Sequence, residues 1–428
     1  MVTATDALML AGLQEIAGHE QAWEAGSGDA IDGVRPRFVV APGSVAEVSA
    51  VMRLAHEAGL AIAPRGGGTK VGWGARPARL DLILSTARLN RVLEHAAGDL
   101  VVRVEAGVTL EALQETVGKA GQRLALNPPE AGATLGGIVA ANPSGPLRLR
   151  YGTVRDLLIG VTVVLADGTV AKAGGKVVKN VAGYDLCKLY TGSLGTLGVI
   201  VETIWRLHPV PAARRTVVVE LSTPEAAGAA VQTLLHAPLS PLALDALELR
   251  WGGEGTLAVL FEGIEPGVVA QARTAETLLA EYGPARTLLA DEQDALWRQA
   301  TAYPWREGDV GLKLTHPPAA LPTALQDIVE LAGGRGIRPR IAGHAGIGVT
   351  LVGLSGGAVA ALPAVIAELR ERMARAEGSV VVLQAPLDIK EILDVWGPVG
   401  DALPLMRRVK ERFDPAGVLN PGRFVGGI

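Results

Sequence analysis

A chain of 428 residues exceeds what one hydrophobic core normally organises, so two domains with a C-terminal segment returning to the first are expected. Its 40 basic and 44 acidic residues give a net charge of −4 with no basic block, which leaves nucleic-acid binding without electrostatic support. The single cysteine, Cys187, excludes an intramolecular disulfide and any zinc or iron–sulfur centre made from this chain's thiolates alone.

Mean hydropathy is +0.29, yet no apolar run approaches the length of a membrane span. The first thirty residues hold Glu15, Glu20, Glu24 and Asp29 and no Lys or Arg, unlike a secretory signal, so a cytoplasmic chain is expected. Ser44 opens a helix in "SVAEVSAVMRLAHEAGL", where Val45, Val48, Val51, Met52 and Ala55 recur at helical intervals and Gly59 is the stop. "AIAP" is a short buried strand that runs into "PRGGGTKVGWG", Pro64 to Gly74. "LDLILS" and "DLVVRVEAGV" predict further strands, and Thr109 opens an amphipathic helix that ends at Gly118 or Gly121. In "LLIGVTVVLADGTVAKAG" the Asp167-Gly168 pair predicts a hairpin, which makes the fold α+β rather than purely doubly wound. Pro209 and Pro211 mark a boundary, and a second α/β unit follows: strand "TVVVEL", helix "PEAAGAAVQTLLHAP", strands "ALELRW" and "TLAVLFEG", helix "VVAQARTAETLLAEYG". The expected division is 1–210, 211–400 and a C-terminal helix and tail over 401–428.

Three segments of the first unit are dense in small residues. The loop Gly66-Gly67-Gly68 follows a strand and can offer successive N–H groups to an anion such as a pyrophosphate, although it has neither Walker nor Rossmann spacing. "PPEAGATLGGIVAANPSGPLRLRYGTVRD" and "GSLGTLGVIVE" supply the others, the latter with Gly192, Gly195 and Gly198 three apart. Such backbone suits close packing against a large flat ligand.

"PRGGGT", "ATLGGIVAANPSGPLRLRYGTVRDLLIGVTVVLADG", "GGKVVKNVAGYDLCKLYTGSLGTLGVI" and "DPAGVLNPGRF", in that order, resemble the FAD-binding proteins of the vanillyl-alcohol oxidase and p-cresol methylhydroxylase superfamily. Within it the chain is most similar to FAD-binding subunits of bacterial glycolate oxidase (GlcE-like), with glycolate and D-lactate dehydrogenases as wider kin. The resemblance implies a two-lobed FAD domain, a smaller α/β cap domain and a tail packed on the former. It implies that Pro64, Arg65, Gly66, Gly67, Gly68, Thr69 and Lys70 cradle the pyrophosphate. Pro128, Thr134, Gly136, Gly137, Ser144, Gly145, Tyr151 and Gly152 would line the flavin, with backbone contacts from Gly195, Gly198 and Ile200. FAD is expected to be non-covalent, since the loop holds no His or Cys, and Cys187 is expected to be a buried small side chain.

Relatives that oxidise 2-hydroxy acids carry a metal site in the cap, with a His-x-Gly-Asp-Gly-Asn segment. Here the nearest stretch is "GHAGIGV", which has His344 but no acidic residue, and no metal is expected; Leu194 stands where those relatives show Glu. Arg306, Lys313 and His344 are the candidate catalytic residues, beside Lys176, Lys179, Tyr303, His316 and Arg340 as further polar candidates. The resemblance implies the FAD-binding subunit of a glycolate or related 2-hydroxy-acid oxidase complex. A homologous larger FAD subunit and an iron–sulfur subunit would be its partners, and through them the complex would lie on the inner membrane. The alternatives are a self-sufficient flavin dehydrogenase and a non-catalytic assembly subunit that binds FAD only structurally.

Overall fold

The computed structural model describes residues 4–176, 183–237 and 244–428. Its first sheet forms from short, mostly apolar runs: Ala22–Glu24, Phe38–Val40, Leu82–Ser85 and Ile62–Arg65 lie side by side in that order. The last three are parallel, and the helix Val45–Glu57 crosses between two of them. Ser44 caps that helix, accepting the Glu47 N–H, and Val48, Val51, Met52 and Ala55 are buried as the spacing predicts.

A second, antiparallel sheet carries Val92–Ala96, Val101–Glu105, Val199–Arg206, Leu158–Val164 and Val170–Gly174 in spatial order. The hairpin expected at Asp167-Gly168 joins the last two strands, with Gly168 at φ +85°. The helices Leu110–Gly118 and Leu135–Ala141 pack against this sheet with Thr109 and Thr134 as their caps.

The third sheet has eight antiparallel strands. Its order is Ala285–Thr287, Ala213–Leu221, Gly255–Gly263, Ala246–Trp251, Arg338–His344, Val349–Ser355, Val310–Thr315 and Ser379–Gln384. Side chains alternate across each strand. One face buries Leu247, Leu249, Val259, Phe261, Leu312 and Val352 beneath the helices Pro224–His236, Glu265–Leu279, Leu321–Gly333 and Leu362–Arg375. The opposite face carries Glu248, Arg250, Lys313, Arg340 and His344, and one end of it is covered by the helix Ala290–Thr301 through Leu296 and Trp297.

The tail returns to the first sheet. Ile62 N–H donates to the Val418 carbonyl at 2.7 Å and Asn420 N–H to the Ile62 carbonyl at 2.8 Å, so the tail extends that sheet beyond its edge strand. Asp414, buried, turns the chain by accepting the N–H groups of Val418 and Leu419, and Lys410 compensates its charge at 2.6 Å. Cys187 is buried, and burial pushes its thiol up to about 11.

Candidate active site

The strand Ile62–Arg65 ends in the three-glycine loop. Among the described residues, the N–H groups of Gly66 through Lys70 donate to no protein acceptor. With Gly68 in the left-handed region at φ +76°, these free amides form an anion nest. The glycines also have a cause the sequence did not reveal. A Cβ on Gly66 would stand 2.1 Å from Thr134 Oγ1, and one on Gly67 would stand 2.1 Å from the Gly132 carbonyl oxygen. The loop is therefore packed backbone to backbone on the segment that leads into Leu135–Ala141. Gly136 is confined in turn, because a Cβ there would lie 2.7 Å from Ala106 Cβ.

Pro64 to Lys70, Thr134, Gly136, Gly137, Leu194, Gly195, Gly198 and Ile200 line one cleft, open to solvent, together with Asn420 and Arg423 of the tail. Leu194, at φ +50°, is fixed there by its N–H to the Ala140 carbonyl and by Asn420 Nδ2, which donates to its carbonyl at 2.7 Å. Around the cleft Arg65 pairs with Asp29, Lys70 with Glu130, and Arg423 shares Asp32 with Lys390. Two cations on one carboxylate leave a positive charge at Arg423, whose Nε is buried without an acceptor, while Asn142 Oδ1 is buried without a donor. A nest of free amides, a surplus cation and walls of small residues fit a ligand with a pyrophosphate and a flat ring system, as FAD has.

The polar face of the eight-stranded sheet lies against the segment that follows this cleft. Glu248 and His344 are cross-strand partners, and His344 Nδ1 meets Glu248 Oε1 at 2.5 Å with both residues buried. Burial pushes the Glu248 carboxyl up, opposed by His344, Arg250 and Arg148. Lys313 lies on the same face, since it and Ala342 both pair with Leu351. Its ammonium has no ion pair or hydrogen bond with another described residue, and burial, with Arg148 nearby, brings it down to about 8. Arg148 reaches this face from the helix Arg148–Tyr151, held at 2.9 Å to Ser144 Oγ. Around it, Arg150 pairs with Asp245 at 2.6 Å, and Arg123 pairs with Glu262 and Tyr151.

Pro128, Ser144, Gly145, Tyr151 and Gly152 do not line the cleft. Ser144 orients Arg148, and Gly145 lies tight against Asn127, where a Cβ would come within 2.1 Å of the carbonyl oxygen. Tyr151 joins Arg123 to Glu262, and Gly152, at φ +81°, ends the short helix. Arg306 is exposed in the turn closed by its N–H to Asp309, away from the buried cluster. His316 is held between the Pro317 carbonyl and Thr350 Oγ1, while Arg340 ties down the Pro304 carbonyl and Asp309. Tyr303 stacks on Trp305 at 4.3 Å and 9° and lies 6.1 Å from Trp73 of the glycine loop. Lys176 is exposed and pairs with Glu94; Lys179 lies outside the described residues. Arg148, Glu248 and Arg423 escaped the sequence reading. The signal for Glu248 was an acid inside the apolar strand "ALELRW", which alternation alone places opposite the core.

A cradle of free amides on one side and a titratable sheet face on the other define a flavin-dependent oxidoreductase. Residues 36–174 match the family described as FAD binding domain, and residues 210–382 and 390–424 match FAD linked oxidases, C-terminal domain. The chain belongs to the FAD-linked oxidases. It is 31% identical over 414 residues to a D-lactate dehydrogenase of Archaeoglobus fulgidus, covering 90% of this chain and 91% of that one. Over 261 residues it is 33% identical to glycolate oxidase subunit GlcD of Bacillus subtilis, covering 60% of this chain and 53% of that one. In fold it is similar to p-cresol methylhydroxylase with substrate bound, at a TM-score of 0.79 and 16% identity over 99% of this chain and 97% of that one.

Proposed function

We propose that this chain holds FAD non-covalently in the glycine cradle and oxidises a small 2-hydroxy acid against the polar face of the cap sheet. The domain reading that goes with it is 1–210 for the cofactor, 211–400 for the cap and 401–428 for the tail that completes the cradle. The observation that carries the proposal is Lys313 with Arg148: two half-buried cations near each other, neither in an ion pair with a carboxylate among the described residues. Like charges held together away from bulk water repel, and a substrate carboxylate between them removes that cost. Similarity to a D-lactate dehydrogenase over nine-tenths of the chain supports the same substrate class. Among the described residues no His or Cys lines the cleft, which supports a non-covalent cofactor. FAD, when bound, supplies a two-electron acceptor. The chain's own residues orient the carboxylate at Lys313 and Arg148 and offer His344 next to the reacting carbon.

The test is anaerobic mixing of the purified flavoprotein with D-lactate and with glycolate. Bleaching of the flavin by one of them is expected. In Lys313→Met the flavin should be retained, while the spectral change on adding oxalate, a substrate-shaped dianion, should be lost. An oxalate response unchanged in that variant contradicts the site.

A second reading is favoured by the similarity to GlcD: the chain is the FAD-binding subunit of a glycolate oxidase complex, with a larger homologous FAD subunit and an iron–sulfur subunit. Flavin that stays oxidised with either acid until those partners are added supports it over the first.

A further inference from the structure

The relatives' metal site is not reproduced by the side chains at His344. Among the described residues no three His, Cys, Asp or Glu side chains come together as a metal would need. His344 has one carboxylate neighbour, Glu248, and the other charged groups that bear on the pair are cations: Arg250 on the same strand as Glu248 and Arg148 from the facing helix, with Lys313 two strands beyond His344. A divalent ion would gain two ligands there and face three positive charges.

We infer that Glu248 and His344 form a metal-free proton-accepting dyad. This deepens the 2-hydroxy-acid reading and rests on it. His344 itself, Arg250 and Arg148 oppose the effect of burial and favour the ionised Glu248 carboxylate; in that form Oε1, at 2.5 Å, accepts from Nδ1 and fixes the tautomer with the proton there. Nε2 then carries the lone pair, and it has no partner among the described residues. The cross-strand register holds the imidazole in place, since Glu248 and His344 sit opposite each other on adjacent strands. In the reaction the substrate's O–H bond breaks and its proton goes to His344 Nε2. The Cα hydrogen leaves with its electron pair as a hydride equivalent and the C–O bond becomes the carbonyl of a 2-oxo acid, a two-electron oxidation for which FAD held in the glycine cradle would supply the two-electron acceptor. His344 is the catalytic residue in this scheme, and Glu248 is the positioning residue that acts through it.

The experiment combines metal analysis with variants of the flavoprotein. Plasma mass spectrometry of the purified protein is expected to find far less than one equivalent of zinc, manganese or iron, and EDTA dialysis is expected to leave the anaerobic rate of flavin reduction unchanged. His344→Ala should reduce that rate by about 100-fold or more, with partial recovery on adding imidazole, and Glu248→Gln should reduce it by about 10-fold to 100-fold without imidazole recovery. Both variants should keep full flavin and the oxalate spectral response. Stoichiometric metal, or a rate abolished by EDTA and restored by zinc or manganese, overturns the dyad while the 2-hydroxy-acid reading stands. Wild-type protein that neither responds to oxalate nor is bleached by any 2-hydroxy acid overturns both.

Discussion

Gly67 carries two demands at once, since its amide faces the cleft and its missing Cβ lets the Gly132 carbonyl approach. Gly67→Val puts a branched side chain where a Cβ alone would already lie 2.1 Å from that oxygen. The loop must move off Gly132–Thr134, and the nest loses its geometry. Each charge-assisted hydrogen bond from an amide to phosphate contributes about 1.5–3 kcal/mol, so losing two weakens FAD by roughly 100-fold or more. Equilibrium dialysis of FAD against the variant checks this, and the circular dichroism of the cap sheet should not change. The sequence showed that this loop needed glycine. It could not show why, because Gly132 is far away along the chain and contributes only a carbonyl. The same holds for Arg423: "NPGRF" was visible as a motif, but its buried, unsatisfied Nε depends on Asp32 and on the carbonyls of Val71 and Trp73.

Local signals were enough for the capped helices, the Asp167-Gly168 hairpin and the strands of the first unit, because each rests on contacts within a short span. Register was not legible in that way. The face shared by Glu248, His344 and Lys313 depends on strands from three distant stretches adopting one alignment. The short helix Arg148–Tyr151 shows the same limit: Tyr151 was expected beside the flavin, and what the sequence did not show is that the helix latches the first unit to the cap through Arg150–Asp245 and Tyr151–Glu262. Glu262→Ala leaves Arg123 buried without its carboxylate and should destabilise the protein by about 3–5 kcal/mol in urea unfolding. Asp245 gives a pH signature. Burial raises its carboxyl to about 6 against the ordinary 3.8, opposed by Arg150 and the Glu262 N–H. The folded state therefore binds this proton more tightly than the unfolded chain, and the stabilisation is full below about pH 4 and lost as pH rises through 6. Relative to Asp245→Asn, the wild type should gain roughly 2 kcal/mol between pH 7 and 4. Difference unfolding curves check the sign; a gain in the opposite direction contradicts the burial argument.

At the scale of the molecule, four separate stretches close the cofactor cleft: the glycine loop, the segments from Thr134 and Leu194, and the tail that pairs with Ile62. Ligand bound to such a site stabilises the native state by mass action, about 2.7 kcal/mol at a hundredfold excess over the dissociation constant. Added FAD should therefore raise the melting temperature of apoprotein, and Gly67→Val should lose that response. The α+β class, the cap and the returning tail were legible in the motifs, while the dyad and its cations needed the assembled sheet. The most direct test of the central claim is the visible absorption spectrum of the gel-filtered, FAD-supplemented chain beside Gly67→Val. A retained flavin band in the wild type and none in the variant is predicted. A colourless wild type, or equal bands in the two proteins, would contradict the account.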